Sequence, residues 1–262
     1  MHPLINIATT AARAAGDIIV RNMDSIDRIK ISTKDQQEYF TEVDIKAEQI
    51  IIQHIHKAYP NHGIIAEESG VHNEEAETVW IIDPLDGTTN YLHGFPFFCV
   101  SIAVRVKHRI EHGLIYDPLR GECFFASRGQ GAQMNSKRIR VNQKKEMNQS
   151  LFGGGFPVKY PALSERFLAT AAALFGDAAG IRRTGSAALD LAYVACGRLD
   201  GYFEFGLRPW DMAAGAIIIK EAGGLVGDFA GGEDYLKSGN VVAANPKLFK
   251  AMMQKLSAKL VG

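Results

Sequence analysis

The stretch Trp80-Ile81-Ile82-Asp83-Pro84-Leu85-Asp86-Gly87-Thr88-Thr89-Asn90 decides the fold, because an apolar run ends there in two carboxylates three residues apart. The residue before a proline favours extended geometry, so Asp83 is predicted to close a buried strand and the next two residues to turn the chain. Gly87 lets the backbone approach a ligand closely. The two threonines that follow begin a helix whose N–H groups are free to hold an anion. Acidic groups beside an anion-accepting turn require cations between them and the ligand, which indicates a divalent metal and a phosphate.

Other interpretations of this acidic turn fit the spacing to different degrees. Asp-Gly is a common turn pair, so a surface turn that caps a helix is a purely structural alternative. Phosphatases that form an aspartyl-phosphate also have a signature ending in Asp-Gly-Thr, with the nucleophile two residues before the second aspartate. That position is Pro84 here, which excludes this class for the stretch. A calcium loop fits poorly, because alternating acidic partners and a closing glutamate are missing.

The composition is that of an ordinary globular protein. The 262 residues are 47% hydrophobic and 22% charged, enough to build one large domain or two small ones. Because 29 Lys and Arg balance 29 Asp and Glu, the sequence gives no direct signal for nucleic acid or an anionic membrane. The N-terminal stretch, interrupted by Arg13 and Asp17, is neither a signal peptide nor a membrane span. Three cysteines without a Cys-x-x-Cys pair favour inert thiols in a reducing compartment, so we expect a cytoplasmic protein.

The first part of the chain is predicted to combine helices with an antiparallel sheet. An amphipathic helix spans residues 4–23, a polar loop or loose hairpin follows, and a capping box at Thr41 opens a second helix. Two short strands then end in carboxylates, and alternating apolar residues over 97–107 begin an antiparallel meander. Gly129-Gln130-Gly131 lacks the third glycine of a nucleotide loop, so we predict a hairpin turn there.

The charged, amide-rich segment 138–149 is the predicted boundary between two halves. Beyond it strands alternate with helices, an order that implies a layered α/β unit. We therefore predict an N-terminal α+β half over 1–140 and a C-terminal α/β half over 141–262 that closes the site.

Four separate places offer carboxylates at the ends of elements: Asp44, Glu67 with Glu68, Asp83 with Asp86, and Asp211. Each has a structural explanation, since Asp44 suits the first turn of a helix and Asp211 suits an N-cap. Hard cations such as Mg²⁺, however, take carboxylate oxygens and let neighbouring carboxylates stay ionised together. Their joint occurrence favours a shared metal site, although spacing alone does not show that they converge.

Several motifs resemble the signatures of the inositol monophosphatase family, in the family's order and separation over essentially the whole chain. They are Phe40-Thr41-Glu42-Val43-Asp44, Glu67-Glu68-Ser69, the stretch from Trp80 to Asn90, Gly185-Ser186-Ala187-Ala188 and Trp210-Asp211-Met212-Ala213-Ala214-Gly215. Met1-His2-Pro3 and the run from Arg182 to Val194 resemble the bacterial extragenic-suppressor branch most closely.

The resemblance implies a lithium-sensitive, Mg²⁺-dependent phosphomonoesterase with an αβαβα layered fold, usually a homodimer. Carried over by position, the ligands of two to three Mg²⁺ ions would be Glu67, Asp83, the Leu85 carbonyl, Asp86 and Asp211. The catalytic group would be Thr88 and Asp44, which orient and deprotonate the attacking water, together with Glu67. Substrate contacts would come from Asp86, Gly87, Thr88, Gly185, Ser186, Ala187 and Glu204.

One segment departs from the family pattern. The polar segment 31–38 occupies the place of the family's mobile metal-site loop, and Lys34 best matches the usual lysine. Amides and acids replace the small residues around it, which leaves the third metal open.

The substrate we expect is a small polyol phosphate, with myo-inositol 1-phosphate first. Phosphoryl transfer needs positioning and charge stabilisation more than a covalent nucleophile, so the absence of a Ser-His or Cys-His pattern is no obstacle. Fructose 1,6-bisphosphate, histidinol phosphate and 3′-phosphonucleotides stay open as alternatives. A regulatory role is the alternative from another class, because members of the suppressor branch are implicated in transcription antitermination. Arg182-Arg183 would then belong to a partner or dimer surface, or simply to a charged strand edge.

Overall fold

The structure, a computed structural model, describes residues 2–28, 31–35, 38–157 and 160–260. For residues 25, 27–28, 31–35, 38–39 and 257–260 it describes the backbone alone. The side chain of Lys34, the predicted loop lysine, therefore lies outside the described part of the chain.

The described residues form helices and strands in a mixed order. The helices are α1 (Pro3–Asn22), α2 (Glu42–Ala58), α3 (Thr88–Leu92), α4 (Ser164–Phe175), α5 (Ala187–Ala195), α6 (Pro209–Glu221), α7 (Tyr235–Ser238) and α8 (Pro246–Leu260). The strands are β1 (Ile31–Asp35), β2 (Glu38–Thr41), β3 (Gly63–Ala66), β4 (Gly70–His72), β5 (Thr78–Asp86), β6 (Cys99–Val106), β7 (Arg109–Asp117), β8 (Glu122–Ser127), β9 (Ala132–Met134), β10 (Lys137–Arg138), β11 (Leu151–Gly154), β12 (Gly180–Arg182), β13 (Gly201–Glu204), β14 (Leu225–Gly227) and β15 (Val241–Ala244). Short 3₁₀ helices span Met23–Arg28, Met147–Gln149 and Pro161–Leu163.

Two sheets and a hairpin organise these strands. The larger sheet has the order β10-β9-β8-β7-β6-β5-β3-β4, in which β3 and β5 are parallel and the other neighbours antiparallel. The predicted meander is therefore confirmed. The smaller sheet has the order β12-β11-β13-β15-β14, with β11 parallel to both of its neighbours. Strands β1 and β2 pair with each other, which fits the loose hairpin expected before α2.

The layers alternate between helices and sheets. α1 and α2 cover one face of the larger sheet, with a core of alanines and isoleucines from both helices packed against β5, β6 and β7. α5 and α6 lie between the two sheets and share a second core with both. α4 and α8 pack on the smaller sheet around a third core that contains Phe152 and Phe203. The αβαβα arrangement is confirmed.

Along the chain, the predicted boundary segment 138–149 separates the strands of the larger sheet from those of the smaller sheet. The larger sheet ends at Arg138 and the smaller one begins at Leu151. α6 nevertheless comes from the second half and packs on β6, β7 and β8 of the first. The division into halves at residue 140 stays a prediction.

Strand β5 does not end where the proline predicts. It continues through Pro84 to Asp86, because a bulge absorbs one extra residue: Asp83 lies opposite Ser101 and Asp86 opposite Cys99 on β6. A bulge tolerates a proline that has no N–H for the ladder. Its consequence is that both carboxylates stay on the same ordered strand end instead of entering a loose turn.

The turn at Gly129-Gln130-Gly131 joins β8 to β9 as predicted, and its N–H groups have an internal partner. Gly129 and Gly131, both with positive φ, donate backbone hydrogen bonds of 2.8 and 2.7 Å to the Glu221 carboxylate at the end of α6. The carboxylate thereby occupies the position that a nucleotide-loop interpretation would give to a phosphate.

A methyl group at Gly113 should destabilise the contact between the larger sheet and α6. An added Cβ would lie 2.6 Å from a methyl carbon of Ile217 and 2.7 Å from the Ala214 carbonyl oxygen. We expect Gly113→Ala to lower the free energy of unfolding by about 1–3 kcal/mol through overpacking. Urea unfolding measures it. Gly176→Ala is the control, since nothing lies within 4 Å of its added Cβ, and equal effects of the two substitutions would contradict the packing described here.

Candidate active site

Three carboxylates from two distant parts of the chain converge. One oxygen from each of Asp83, Asp86 and Asp211 lies within 4.8 Å of the others. Asp83 is buried, with 1% of its surface exposed, and the other two are partly exposed. Since hard cations prefer oxygen ligands, this donor set fits a divalent cation such as Mg²⁺.

The start of α6 brings Asp211 to the end of β5. Ser101 lies opposite Asp83 in the sheet, and its hydroxyl donates a hydrogen bond of 3.0 Å to the Trp210 carbonyl. Asp211 is the third residue of α6, with Arg208 at the N-cap position, so the expected N-cap at Asp211 is wrong by three residues. Its carboxylate instead accepts a hydrogen bond of 2.6 Å from the backbone N–H of Arg208.

Asp86 is held by the beginning of α5. Its Oδ2 accepts hydrogen bonds from the Ser186 hydroxyl at 2.6 Å and from the backbone N–H of Ala188 at 2.7 Å. Ser186 is also the N-cap of α5, where its side chain accepts from the N–H of Leu189. Two of the predicted substrate-side residues, Ser186 and Asp86, therefore contact each other directly.

Glu67 completes the acidic group. Burial raises the pKa of Asp83 well above its usual value, and the negative charges of Glu67, Asp86 and Asp211 raise it further. Such repulsion makes the ionised group costly without a counter-ion. A bound divalent cation reverses this effect, since it is the largest local charge.

Thr88 connects the acidic group to α2. Its hydroxyl lies 3.1 Å from Oδ1 of Asp44 and 3.0 Å from the Leu85 carbonyl oxygen. A hydroxyl has one proton, so it donates to one of these acceptors at a time. Burial raises the pKa of Asp44, while hydrogen bonds from Thr41 act in the opposite direction.

Asp44 caps the start of α2 and contacts Thr88 at the same time. The predicted capping box is present: the Asp44 carboxylate accepts from the backbone N–H of Thr41 at 2.8 Å, and the Thr41 hydroxyl caps the first turn. The same carboxylate reaches Thr88, so its position is fixed by the helix end.

The acidic group lines a cleft of about 540 Å³. Of the predicted site residues whose side chains are described, all but Asp44, which contacts Thr88 instead, line it: Glu67, Asp83, Leu85, Asp86, Gly87, Thr88, Gly185, Ser186, Ala187, Glu204 and Asp211. Gly87 has φ of +96° and precedes α3, as the turn required.

Sequence reasoning missed several residues that shape the cleft. Asn90 donates hydrogen bonds to the carbonyls of Phe97 at 2.7 Å and Thr184 at 2.8 Å, and so ties α3 to the segment before α5. The Thr184 hydroxyl in turn donates to the buried Asp190 at 2.6 Å. The contact between Asn90 and Thr184 joins segments 94 residues apart, and its only signal in the sequence was the run of polar residues before an apolar helix.

Glu204 also lines the cleft, in a space that a glycine keeps open. The Tyr202 hydroxyl donates to its carboxylate, and a Cβ at Gly155 would overlap that carboxylate. Burial raises the pKa of Glu204 to about 8, against the hydrogen bond from Tyr202. Burial also raises the pKa of Asp190 to about 8. The cleft therefore contains two carboxyl groups whose raised pKa values favour the protonated form near neutral pH.

The three cysteines are free thiols. Burial raises the pKa of Cys99, which lies 3.9 Å from Asp86, well above its usual value. The thiol is thus kept protonated, as expected for an inert core cysteine.

Comparison with known proteins identifies the family. The model of the inositol monophosphatase family matches residues 1–261. The Nus factor SuhB of Escherichia coli K12 is 49% identical over 261 residues, which cover 99% of this chain and 98% of that protein. The crystal structure of the extragenic suppressor protein suhB from Bartonella henselae has a TM-score of 0.94 at 39% identity, with 97% of this chain and 98% of that chain covered.

A cyanobacterial structure agrees with these matches. The inositol monophosphatase from Anabaena has a TM-score of 0.88 at 37% identity, with 98% of this chain and 96% of that chain covered. The chain therefore belongs to the inositol monophosphatase family. Among the described residues, no helix combines the length and the apolar character needed to cross a membrane.

The raised pKa of Glu204 predicts how stability depends on pH. Between the usual carboxyl pKa of about 4.5 and the folded value of about 8, the unfolded chain releases a proton that the folded chain retains, so stability falls as pH rises. In EDTA, Glu204→Gln should make the decline in melting temperature from pH 5 to 8 shallower. Glu165→Gln, an exposed change on α4, is the control. Parallel pH profiles for Glu204→Gln and the unmodified chain would refute the prediction.

Proposed function

We propose that this protein is a Mg²⁺-dependent phosphomonoesterase that hydrolyses myo-inositol 1-phosphate and related polyol phosphates by attack of water. The convergence of Asp83, Asp86 and Asp211 beside Glu67 in one cleft is the observation that carries the proposal. Membership of the inositol monophosphatase family supports the reaction class.

The proposed ligands are shared among up to three neighbouring ion positions. Glu67, Asp83 and the Leu85 carbonyl hold the first ion, and Asp83, Asp86 and Asp211 hold the second, while Glu67 helps to hold a third, weaker one. When bound, Mg²⁺ supplies positive charge that stabilises the charge developing on the phosphate and on the leaving oxygen, and it lowers the pKa of coordinated water. The all-oxygen donor set supports this assignment.

Thr88 and Asp44 are the proposed catalytic pair, with Glu67 beside them. The Thr88 hydroxyl orients the attacking water and accepts a proton from it, while the hydroxyl's own proton passes to Asp44, 3.1 Å away. Burial, which raises the pKa of Asp44, makes that carboxylate a stronger base than an exposed aspartate. Because α2 fixes Asp44 through its capping box, the pair needs little rearrangement to act.

The substrate would lie along the cleft with its phosphate near the acids. The backbone N–H groups of Gly87 and Thr88 donate to the phosphate, as expected for amides that begin a helix. The polyol contacts Gly185, Ser186 and Ala187 and ends near Glu204, whose carboxyl group hydrogen-bonds a ring hydroxyl. A cleft of about 540 Å³ suits a small phosphorylated ring.

A regulatory binding role is the second candidate function. Its support is the name Nus factor carried by a relative that is 49% identical over nearly the full length. Arg182 ends the edge strand β12 and is exposed, whereas Arg183 lines the cleft. Arg182 is thus the better placed of the two for a transcription-factor partner or for the homodimer that we also propose.

We also propose that lithium inhibits the Mg²⁺-dependent reaction. The free thiols suit the predicted cytoplasmic location.

Loss of the central carboxylate should abolish hydrolysis. Asp83→Asn removes a negative ligand from both proposed ion positions, so we expect phosphate release from myo-inositol 1-phosphate to fall by about 100-fold or more. The assay compares initial rates in Mg²⁺ with rates in EDTA. Glu75→Gln, an exposed change in the loop before β5, is the control and should keep full activity. If neither EDTA nor Asp83→Asn lowered the rate of phosphate release, the proposed metal-dependent reaction would be disproved.

The same variant separates the two candidate functions. If the regulatory role is independent of catalysis, Asp83→Asn should still bind purified antitermination factors in a pull-down, while Arg182→Ala should bind them less. Loss of binding in Asp83→Asn, with its fold intact by circular dichroism, would show that the two roles share the site.

A further inference from the structure

Glu48 is a buried carboxylate with a defined task. It lies on α2 with 3% of its surface exposed. Its two oxygens accept hydrogen bonds from consecutive backbone N–H groups, 2.8 Å from Glu68 and 2.7 Å from Ser69. Hydrogen bonds to an ionised carboxylate are about twice as strong as neutral ones. A side chain from one helix therefore holds a loop that lies 20 residues further along the chain.

That loop is the one that carries Glu67. Ala66 pairs with Gly70 across the turn from β3 to β4, so residues 67–69 form the whole connection. The backbone N–H of Glu67 donates to the Ile82 carbonyl on β5 at 3.2 Å. All three N–H groups of the connection are thus bonded, one to the strand that leads to Asp83 and two to Glu48.

The same face of α2 also contacts a second segment of the site. Asp44 lies one helical turn before Glu48, and it reaches Thr88. One helix thus contacts two segments of the site: Asp44 bonds the side chain of Thr88, and Glu48 bonds the backbone amides of Glu68 and Ser69. Glu48 itself does not line the cleft described above.

We infer that Glu48 is a positioning residue for the metal site: its carboxylate fixes the 67–69 connection so that Glu67 faces Asp83. The inference rests on the proposed function, since it concerns ions that the cleft would bind. Groups that orient metal ligands typically contribute 10–100-fold in metal affinity. Glu48 would do so through the backbone of the ligand segment, without touching the ion.

Two substitutions test different features of this arrangement. Glu48→Gln keeps the length but offers one acceptor oxygen and sets an NH₂ group against the second N–H. Glu48→Asp keeps the charge but is one methylene shorter, so it does not span both amides from the same helix position. Glu42→Gln is the matched control, because Glu42 lies on the same helix, is partly exposed and pairs with Lys46.

The experiment measures Mn²⁺ binding to the full chain by electron paramagnetic resonance, without substrate, alongside the melting temperature of the metal-free protein. We expect Glu48→Gln to raise the Mn²⁺ dissociation constant about 10-fold or more. Glu48→Asp should raise it by a smaller factor, and Glu42→Gln should leave it unchanged. The Mg²⁺ concentration for half-maximal phosphate release should rise by the same factor, with kcat recovered at saturating Mg²⁺.

Several outcomes would overturn the inference. Folded Glu48→Gln and Glu48→Asp variants that bind Mn²⁺ like the unmodified chain would do so, and so would a fall in melting temperature without a change in affinity. Loss of folding in both variants would assign Glu48 to stability alone. An unmodified chain that binds no Mn²⁺ would instead contradict the proposed function itself, and this result is distinct from the others.

Discussion

The candidate site is built from negatively charged side chains that are held close together despite their repulsion. Asp83, Asp86 and Asp211 hold carboxylate oxygens within 4.8 Å of one another, and Glu67 adds a fourth charge that acts on the buried Asp83. Repulsion at this distance in a partly buried site costs several kcal/mol unless protons or cations reduce it. A fold that used these residues only for stability would gain by separating them. Their retention at one point is therefore best explained by a cation that the cleft binds.

The αβαβα arrangement meets this constraint by fixing each acid from a different layer. The bulge in β5 presents Asp83 and Asp86, the Ser101 hydroxyl ties the start of α6 to the same strand pair, and the N-terminus of α5 bonds Asp86. Most of these anchors are backbone amides or hydroxyls, which hold a carboxylate without neutralising its charge. The acids thus stay available to a cation while their positions are set by strands and helices.

Much of the fold was predictable because its signals are local. The helix predicted at 4–23, the α2 capping box and the meander follow from periodicity and capping residues, and the layered order follows from alternating strands and helices. The end of β5 was not predictable in detail, because the tendency of proline to end a strand was overridden by a bulge against β6. The N-cap of α6 was misplaced because Pro209 sits at its first turn and moves the cap back to Arg208. The metal-site candidates came from motif resemblance, but Ser101, Asn90 and Glu48 act through contacts 20 to 109 residues apart that no local pattern encodes.

Anomalous diffraction from a crystal soaked in Mn²⁺ with a phosphorylated polyol would show directly whether the clustered carboxylates bind cations. We expect anomalous peaks within coordination distance of the Asp83, Asp86 and Asp211 carboxylates, with the phosphate between those peaks and the backbone N–H groups of Gly87 and Thr88. Phosphate bound in the cleft with no anomalous signal near these three carboxylates, at a Mn²⁺ concentration that supports phosphate release in solution, would rule out a metal site there.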